Sequence, residues 1–488
     1  MTYRIGIDIG TTSLKAVLFD EARRILGKAE VPYATEHPQE GFSEQDPEGI
    51  RKAFDDVLGE LLATFDPSRV ESLSFSGAMH SLILLDGEGR ALTPSILWSD
   101  NRALPQVEEF KAQGEALGLY ERTGTPVHPM SPFFKLRWFW ANTDLQGKTA
   151  MAADIKGYLL YPLLNQWVMD YSVASATGLF NLHTLAWDPW AMERAGITGD
   201  KLPLAVEGSR GLPVTNRAFL QRWGFPEHLL LYPGASDGAL ANLGSGALGS
   251  GEATITVGTS GAVRMTVDQP FLDPLGRTFC YYLSPGRYVV GGAVNNGGNI
   301  LPWLADLLGL SREELFSRIP PCLSEVLPGA SGLVFLPWLH GERAPYWDGG
   351  LSASFVGLRP QHGPEELLRA ALEGVLFNLR QVLELLQEVA GPATRITLTG
   401  GFLENPQMAQ LLADVLGREL EVADAKESSC LGAILLGEKA GSSKALDLKP
   451  KILRPSRNRK VYDGLYEDYS RLARVFLSWQ QEKNREKK

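Results

Sequence analysis

Cysteine is scarce in this chain. Only Cys280, Cys322 and Cys430 occur in 488 residues, far apart and without CxxC spacing. That excludes a disulfide scaffold and a structural zinc site, and it fits a reducing compartment. Positive charge is short as well: 47 Lys and Arg against 57 Asp and Glu leave a formal charge of −10. Such a balance argues against nucleic acid or an anionic membrane as a main partner. Long apolar runs are missing, none approaching the ~20 residues of a membrane span. Asp8 interrupts the N-terminus too early for a secretory signal. The expectation is a cytoplasmic globular protein, long enough for more than one domain, whose partners are small molecules. Phosphorylated ligands stay open, because backbone N–H groups bind anions whatever the net charge.

What is present begins with YRIGIDIGTTSLKAVLFD, residues 3–20. Ile5, Ile7 and Ile9 alternate on one face, and Leu14, Ala16 and Leu18 resume the period of two. Residues 3–9 and 14–20 therefore read as two strands joined by Gly10-Thr11-Thr12-Ser13. A P-loop or a dinucleotide fingerprint would run from strand to helix, and neither glycine pattern is here. A tight turn needs only the glycine; Asp8 and three hydroxyls ask for a ligand. A weaker echo is ATITVGTSGAVRMTV, residues 253–267. Two such hairpins suggest two similar domains, although Gly-Thr/Ser turns are common in plain hairpins. The glycine-dense stretch 234–256 places the boundary, giving domains 1–244 and 245–488.

A third glycine site lies in TRITLTGGFLENPQMAQLLADVLG, residues 394–417. The spacing predicts a strand over 394–399, then a helix capped by Asn405, opened by Pro406 and ended by Gly417. Gly400-Gly401 would bare the backbone at the strand's carboxyl end, where open α/β sheets bind ligands, or would simply form a loop. Residues 363–391 predict a long core helix. A last helix is expected from about Tyr462 to Trp479, with the remaining tail frayed.

Asp237 sits in YPGASDGALANLG. A strand ending at Ala235 and a helix beginning at Ala239 would make it either a helix cap or a general base in a cleft. Asp8, at the mouth of the first hairpin, suits Mg²⁺, which takes one or two carboxylates plus substrate phosphates. Lys15 follows it and reads as an exposed strand lysine or a phosphate contact. The stretches SGAMHSLILLD and SILWSDNRA bring Met79, His80, Trp98, Asp100, Asn101 and Arg102 near strands, the mixture of aromatic wall and fixed polar groups that a polyol needs.

Taken in order, DIGTTSLK (8–15), GASDG (234–238), TVGTSGAVR (256–264) and LTGGFLENP (398–406) resemble the FGGY carbohydrate kinases. MSPFFKLRW, HGERAPYWD and RAALEGV are further landmarks of the pattern. The resemblance covers nearly the whole chain. It implies an α/β fold of two actin-like, ribonuclease-H-like domains flanking a deep nucleotide and sugar cleft. ATP and Mg²⁺ would be its cofactors. Gly10, Thr11, Thr12, Lys15, Gly258 and Thr259 would lie near the phosphates, Gly400, Gly401 and Asn405 near the adenosine, and Asp8 near the metal. Asp237 would be the catalytic base. AMHSLILLD, LWSDNRA, RTGTPVHPMSP and GGAVNNGGN look most like the gluconate-phosphorylating members. The substrate residues implied are Met79, His80, Trp98, Arg102, Lys156, Asp237, Asn295 and Asn296, with Arg102, Lys156 and the two asparagines open as partners for a sugar carboxylate. Phosphorylation of D-gluconate at its 6-hydroxyl is the expected activity. Rivals are a kinase for a neutral ketopentose or polyol, and an actin-like ATPase or sugar sensor without kinase activity. Oligomeric state is not written in the residues; a homodimer is allowed.

Overall fold

The computed structural model describes residues 2–247, 249–401, 405–422, 427–438 and 450–486. Two compact units emerge: Met1–Leu248 with Asp268–Val289 and Ala425–Leu446, and Gly249–Val267 with Val290–Asp424 and Asp447–Lys488.

In the first unit, β1 (Tyr3–Ile9) and β2 (Ser13–Asp20) form the expected antiparallel hairpin, with Ile9 opposite Leu14. Strand β3 (Ile25–Pro32) extends it. On the other side of β1 lie β4 (Val70–Gly77), β5 (Leu212–Pro213) and β6 (Leu230–Ser236), giving the order β5-β6-β4-β1-β2-β3. Strands β1, β4 and β6 run parallel. Ile5, Ile7 and Ile9 share a core with Phe54, Val57 and Leu58 of the helix Pro47–Leu62. The opposite face of β2 packs Val17 and Phe19 on Cys430 and Ile434 of the helix Ser428–Gly437. Each such side chain contributes roughly 1.5–3 kcal/mol by leaving water. With both faces covered, the central strands are buried almost end to end, as parallel strands usually are.

The helix Ser428–Gly437 also seats the helix Asp237–Gly244. A Cβ on Gly432 would stand 2.0 Å from the Leu240 carbonyl, and one on Gly244 1.9 Å from the Ser428 carbonyl. Only glycine at both crossings lets the helices approach so closely, and this contact holds Asp237 at the end of β6. A separate aromatic core gathers Phe133, Phe134, Leu136 and Phe139 of the helix Pro132–Asn142 against Phe110, Leu82 and Ile96.

The second unit repeats the motif. Strands β7 (Glu252–Val257) and β8 (Gly261–Val267) form a hairpin, and β10 (Arg395–Thr399) runs parallel to β7 as β4 does to β1. With β9 (Arg287–Val294), β11 (Leu420–Val422) and β12 (Lys451–Leu453), six strands of a seven-stranded sheet run in the order β9-β8-β7-β10-β11-β12. The long helix spans Pro364–Ala390, with Leu368, Leu372, Leu376 and Leu379 buried. Asn405 caps the helix Pro406–Leu416, and Gly417 ends it with φ 62°. Two expectations change. The final helix begins at Arg459 and continues to Glu486 rather than fraying after Trp479. Strand β6 reaches Ser236 and the next helix starts at Asp237, so Ser236 occupies the cap position and Asp237 the first turn.

Candidate active site

Parallel pairing decides what meets at the carboxyl ends of β1, β4 and β6. Asp8 stands opposite Ser76, Ile9 opposite Gly77, and Gly77 opposite Ser236. The three strands therefore deliver Asp8, Ser76 and Asp237 to one edge, where ligands of open α/β sheets bind. Ser76 Oγ donates to Asp8 Oδ1 at 2.6 Å. Burial, and then the charge of Asp237, push the Asp8 carboxyl up to about 6, against the Ser76 hydrogen bond and the Lys15 charge. A buried carboxylate whose proton affinity is raised by the charge of a second carboxylate makes a place for a cation. Asp237 Oδ1 accepts from the Gly238 N–H at 2.5 Å. Among the described residues, no group of three or more His, Cys, Asp or Glu side chains could hold a metal ion. A hydrated Mg²⁺ needs fewer carboxylates than that, and the Asp8 edge fits it.

The first turn is held from behind. Gly10 N donates to Ser13 O at 3.0 Å, and Tyr33 Oη donates to Gly10 O at 2.5 Å. Gln45 Nε2 donates to Thr11 O at 2.5 Å, and Tyr33 N to Thr12 O at 3.1 Å. In a trans peptide the N–H points opposite the C=O. Pinning the carbonyls of Gly10 and Thr11 thus aims the amides of Thr11 and Thr12 the other way, an arrangement suited to an anion. Lys15 Nζ reaches Glu427 Oε2 at 2.9 Å and Glu30 Oε2 at 3.7 Å. Burial lowers its proton affinity, but Glu427 and Glu30 outweigh this and raise it. It is an ion-paired strand lysine.

The segments expected to face the sugar lie in the same unit. Trp98 Nε1 donates to Thr11 Oγ1 at 3.2 Å, tying SILWSDNRA to the phosphate-type turn. His80 is buried at φ 69°, its Nδ1 2.7 Å from Ala176 O. Met79 beside it is half-buried. Arg102 is 7% exposed and fully engaged: Nη2 lies 2.8 Å from Asp100 Oδ2 and 2.5 Å from Glu44 Oε1, with the guanidinium 4.0 Å over the Phe42 ring. Lys156 is also committed, 2.6 Å from Asp170 Oδ2 and donating to Ala235 O at 3.0 Å.

In the second unit, β7 and β10 bring Gly258-Thr259 beside Gly400-Gly401. The Thr256 and Thr399 hydroxyls meet at 2.8 Å. Gly258 O accepts from Gly298 N at 2.8 Å and Thr259 O from Asn299 N at 3.1 Å. Asn295 Nδ2 donates to His340 O and Asn296 Nδ2 to Gly341 O and Glu342 Oε2. The Asn405 side chain accepts from Gln407 N as a helix cap. Residues 402–404 of the LTGGFLENP stretch lie outside the described residues.

Residues 3–244 match the N-terminal domain of the FGGY family of carbohydrate kinases, and residues 253–440 its C-terminal domain. The chain belongs to the FGGY family of carbohydrate kinases. Gluconokinase of Bacillus licheniformis is 38% identical to this kinase, over 98% of this chain and 95% of that one. The crystal structure of gluconate kinase from Lactobacillus acidophilus superposes with a TM-score of 0.92 at 32% identity, covering 97% of this chain and 98% of that one. Ligand-bound xylulose kinase from Lactobacillus acidophilus gives the same TM-score and identity, over 99% and 100%. This kinase accordingly has the two-domain α/β fold that the family resemblance implied.

Three polar residues of the kinase escaped sequence reading: Ser76, Tyr33 and Gln45. Ser76 meets Asp8 only through parallel strand pairing, which a single sequence does not encode locally. Gln45 had one available signal, an amide standing just before the Asp46-Pro47 helix start and 3% exposed once folded.

Proposed function

We propose that this kinase transfers the terminal phosphoryl group of ATP to the 6-hydroxyl of D-gluconate, giving 6-phosphogluconate and ADP. The observation that carries the substrate is the 38% identity to a gluconokinase over nearly the full length of both chains. A xylulose kinase of Lactococcus lactis is 29% identical over 89% of this chain and 87% of that one. Asp237 is the base that accepts the proton of the attacking hydroxyl. Its place in the first turn of a helix locked by Gly244 and Gly432 fixes that carboxylate relative to β6. Met79, His80 and Trp98 face the sugar, with Arg102 and Lys156 in its surroundings and Asn295 and Asn296 as further substrate-side amides.

The nucleotide's phosphates fall to Gly10, Thr11, Thr12 and Lys15 in the first unit and to Gly258 and Thr259 in the second. Gly400, Gly401 and Asn405 serve the adenosine. Asp8 would hold Mg²⁺, which when bound would supply charge neutralisation on the phosphates. Three free, buried thiols support a reducing, cytoplasmic setting.

A neutral ketopentose is the second reading, favoured by the equal structural likeness to a xylulose kinase. The test is ADP release with Mg-ATP and D-gluconate, D-xylulose, L-ribulose, glycerol or no sugar. Strong turnover with gluconate alone supports the proposal. Preference for xylulose transfers it to the second reading, and sugar-independent turnover overturns both.

A further inference from the structure

The MSPFFKLRW stretch has no role in the chemistry above, yet it places a lysine in the middle of an aromatic core. Lys135 lies in the helix Pro132–Asn142, flanked by Phe133, Phe134 and Leu136, and is 0% exposed. Its ammonium donates to three backbone carbonyls: His80 O at 2.5 Å, Leu97 O at 2.7 Å and Ile96 O at 3.1 Å. An ammonium has three N–H donors and no acceptor, so donor and acceptor numbers match. These carbonyls belong to two separate segments, which a pair of backbone hydrogen bonds between Leu82 and Ile96 also joins beyond the turn. One is the turn carrying Met79 and His80; the other is the strand end that leads directly into Trp98.

From this we propose that Lys135 is the positioning residue of the sugar site: one buried ammonium fixes the Met79–His80 turn relative to Trp98. The inference rests on the reading of those residues as sugar-facing. His80 shows why a fixing group is required. Its φ of 69° lies in the left-handed region, sparsely populated for a side chain of this size. The residue is held at both ends, by Lys135 at its carbonyl and by Ala176 O at its ring. Trp98 is held likewise, through Leu97 O on Lys135 and its own Nε1 on Thr11 Oγ1. Lys135 itself needs the carbonyls, since burial pushes it down to about 7, with Asp100 opposing and Arg102 reinforcing that shift. A polar group so buried is stable only while every donor is paired. The chemistry is therefore steric and geometric: Lys135 touches no reacting atom, and it sets the distance between two walls of the acceptor pocket.

The experiment compares wild type with Lys135→Gln and Lys135→Met, using whichever acceptor, gluconate or xylulose, wild type turns over faster. Steady-state kinetics give the KM for sugar and for ATP, and calorimetry gives ADP affinity as a check on fold. Gln retains two donors on a shorter stem and guards against a Met variant that fails to fold. In Lys135→Gln the sugar KM is expected to rise about tenfold or more, the scale of one or two lost buried hydrogen bonds. The ATP KM and ADP affinity are expected within about twofold of wild type, since the carbonyls of the Gly10–Thr12 turn are held by Tyr33 and Gln45, which Lys135 does not touch. An unchanged sugar KM in a folded variant overturns the proposal, and so does an equal rise in both KM values, which marks a purely structural lysine. Trp98→Phe, run alongside, separates this from the underlying reading. If Trp98→Phe leaves the sugar KM unchanged, the sugar-facing assignment falls and takes the proposal with it. If Trp98→Phe raises the sugar KM and Lys135→Gln does not, only the role of Lys135 falls.

Discussion

Ser76 donates to Asp8 across 2.6 Å from the register position directly opposite on a parallel strand. The pair stands beside Asp237, whose charge helps raise the Asp8 proton affinity. On the proposed function, one carboxylate of this edge serves the cation while the other, in the first turn of its helix, takes the proton. Asp237→Asn keeps shape and removes only the basicity. It is expected to lower kcat by about 10²–10⁴ with both KM values within a few-fold, the usual scale for losing a general base. Initial-rate kinetics check this, and a variant within tenfold of wild type would remove Asp237 from the role.

Asp8→Asn separates metal handling from proton transfer. A buried carboxylate next to another carboxylate opposes folding in its charged form, so the variant is expected to melt higher than wild type without nucleotide. It is also expected to need far more Mg²⁺ for half-maximal rate. Thermal melts and a Mg²⁺ titration of activity check the two halves, and a variant with wild-type Mg²⁺ dependence would dissociate Asp8 from the metal.

Lys156 gives a third prediction. Its partner Asp170 is fully buried and also caps the helix Tyr171–Ser175 by accepting from Val173 N. Lys156→Met leaves that carboxylate charged, buried and unpaired, a loss of roughly 3–5 kcal/mol. Adding Asp170→Asn retains a capping oxygen while removing the charge. The double variant is expected to recover at least about half of the lost stability in urea unfolding. If the single variant costs under about 1 kcal/mol, the pair is not a buried ion pair in the folded protein.

These residues also show where sequence reading succeeds and where it stops. The hairpins, the long helix Pro364–Ala390 and the Asn405–Gly417 helix follow from local periodicity and capping, which a few neighbouring residues encode. The Asp237 helix start shifted by two residues because Ser236 and Asp237 are both competent at a helix N-terminus, and packing against Gly432 rather than propensity settles the position. Arg102 and Lys156 looked like cations awaiting a carboxylate. The structure gives them Asp100, Glu44 and Asp170, partners contributed by tertiary approach or a neighbouring turn that charge counting along the chain does not expose. Ser76, Tyr33 and Gln45 went unread for the same reason.

Glu342 is a pH-sensitive point of the second unit. Its oxygens accept from Asn295 N, Arg343 N, Asn296 Nδ2 and Asn378 Nδ2, and burial pushes it up to about 7 against these donors. A raised folded-state pKa means that the folded protein holds a proton which the unfolded chain releases near 4.5. The associated stability is therefore complete below about pH 4.5 and is lost as pH rises through about 7, by up to about 3 kcal/mol. Glu342→Gln removes the titration and leaves an NH₂ facing donors. Wild type is expected to exceed the variant in stability at pH 5, with the gap narrowing toward pH 8. Unfolding curves at both pH values check this, and parallel pH dependences would place the Glu342 pKa at its ordinary value.

Gly400 is a place where a single methyl group should be costly to the nucleotide side of the site. Its φ is 97°, and a Cβ there would lie 2.4 Å from the Val257 carbonyl, backbone that has no side-chain freedom to yield. Val257 leads directly into Gly258-Thr259, so relief of the clash must displace the turn read as phosphate-holding. Gly400→Ala is expected to destabilise by about 2 kcal/mol or more, from left-handed strain plus the contact. The same displacement should raise the KM for ATP more than the KM for sugar, because β7 and β10 carry no residue assigned to the sugar. Melting temperature and a two-substrate kinetic matrix check both parts. Equal effects on the two KM values would mean that the methyl group loosens the unit as a whole and that the turn carries no special share of nucleotide binding.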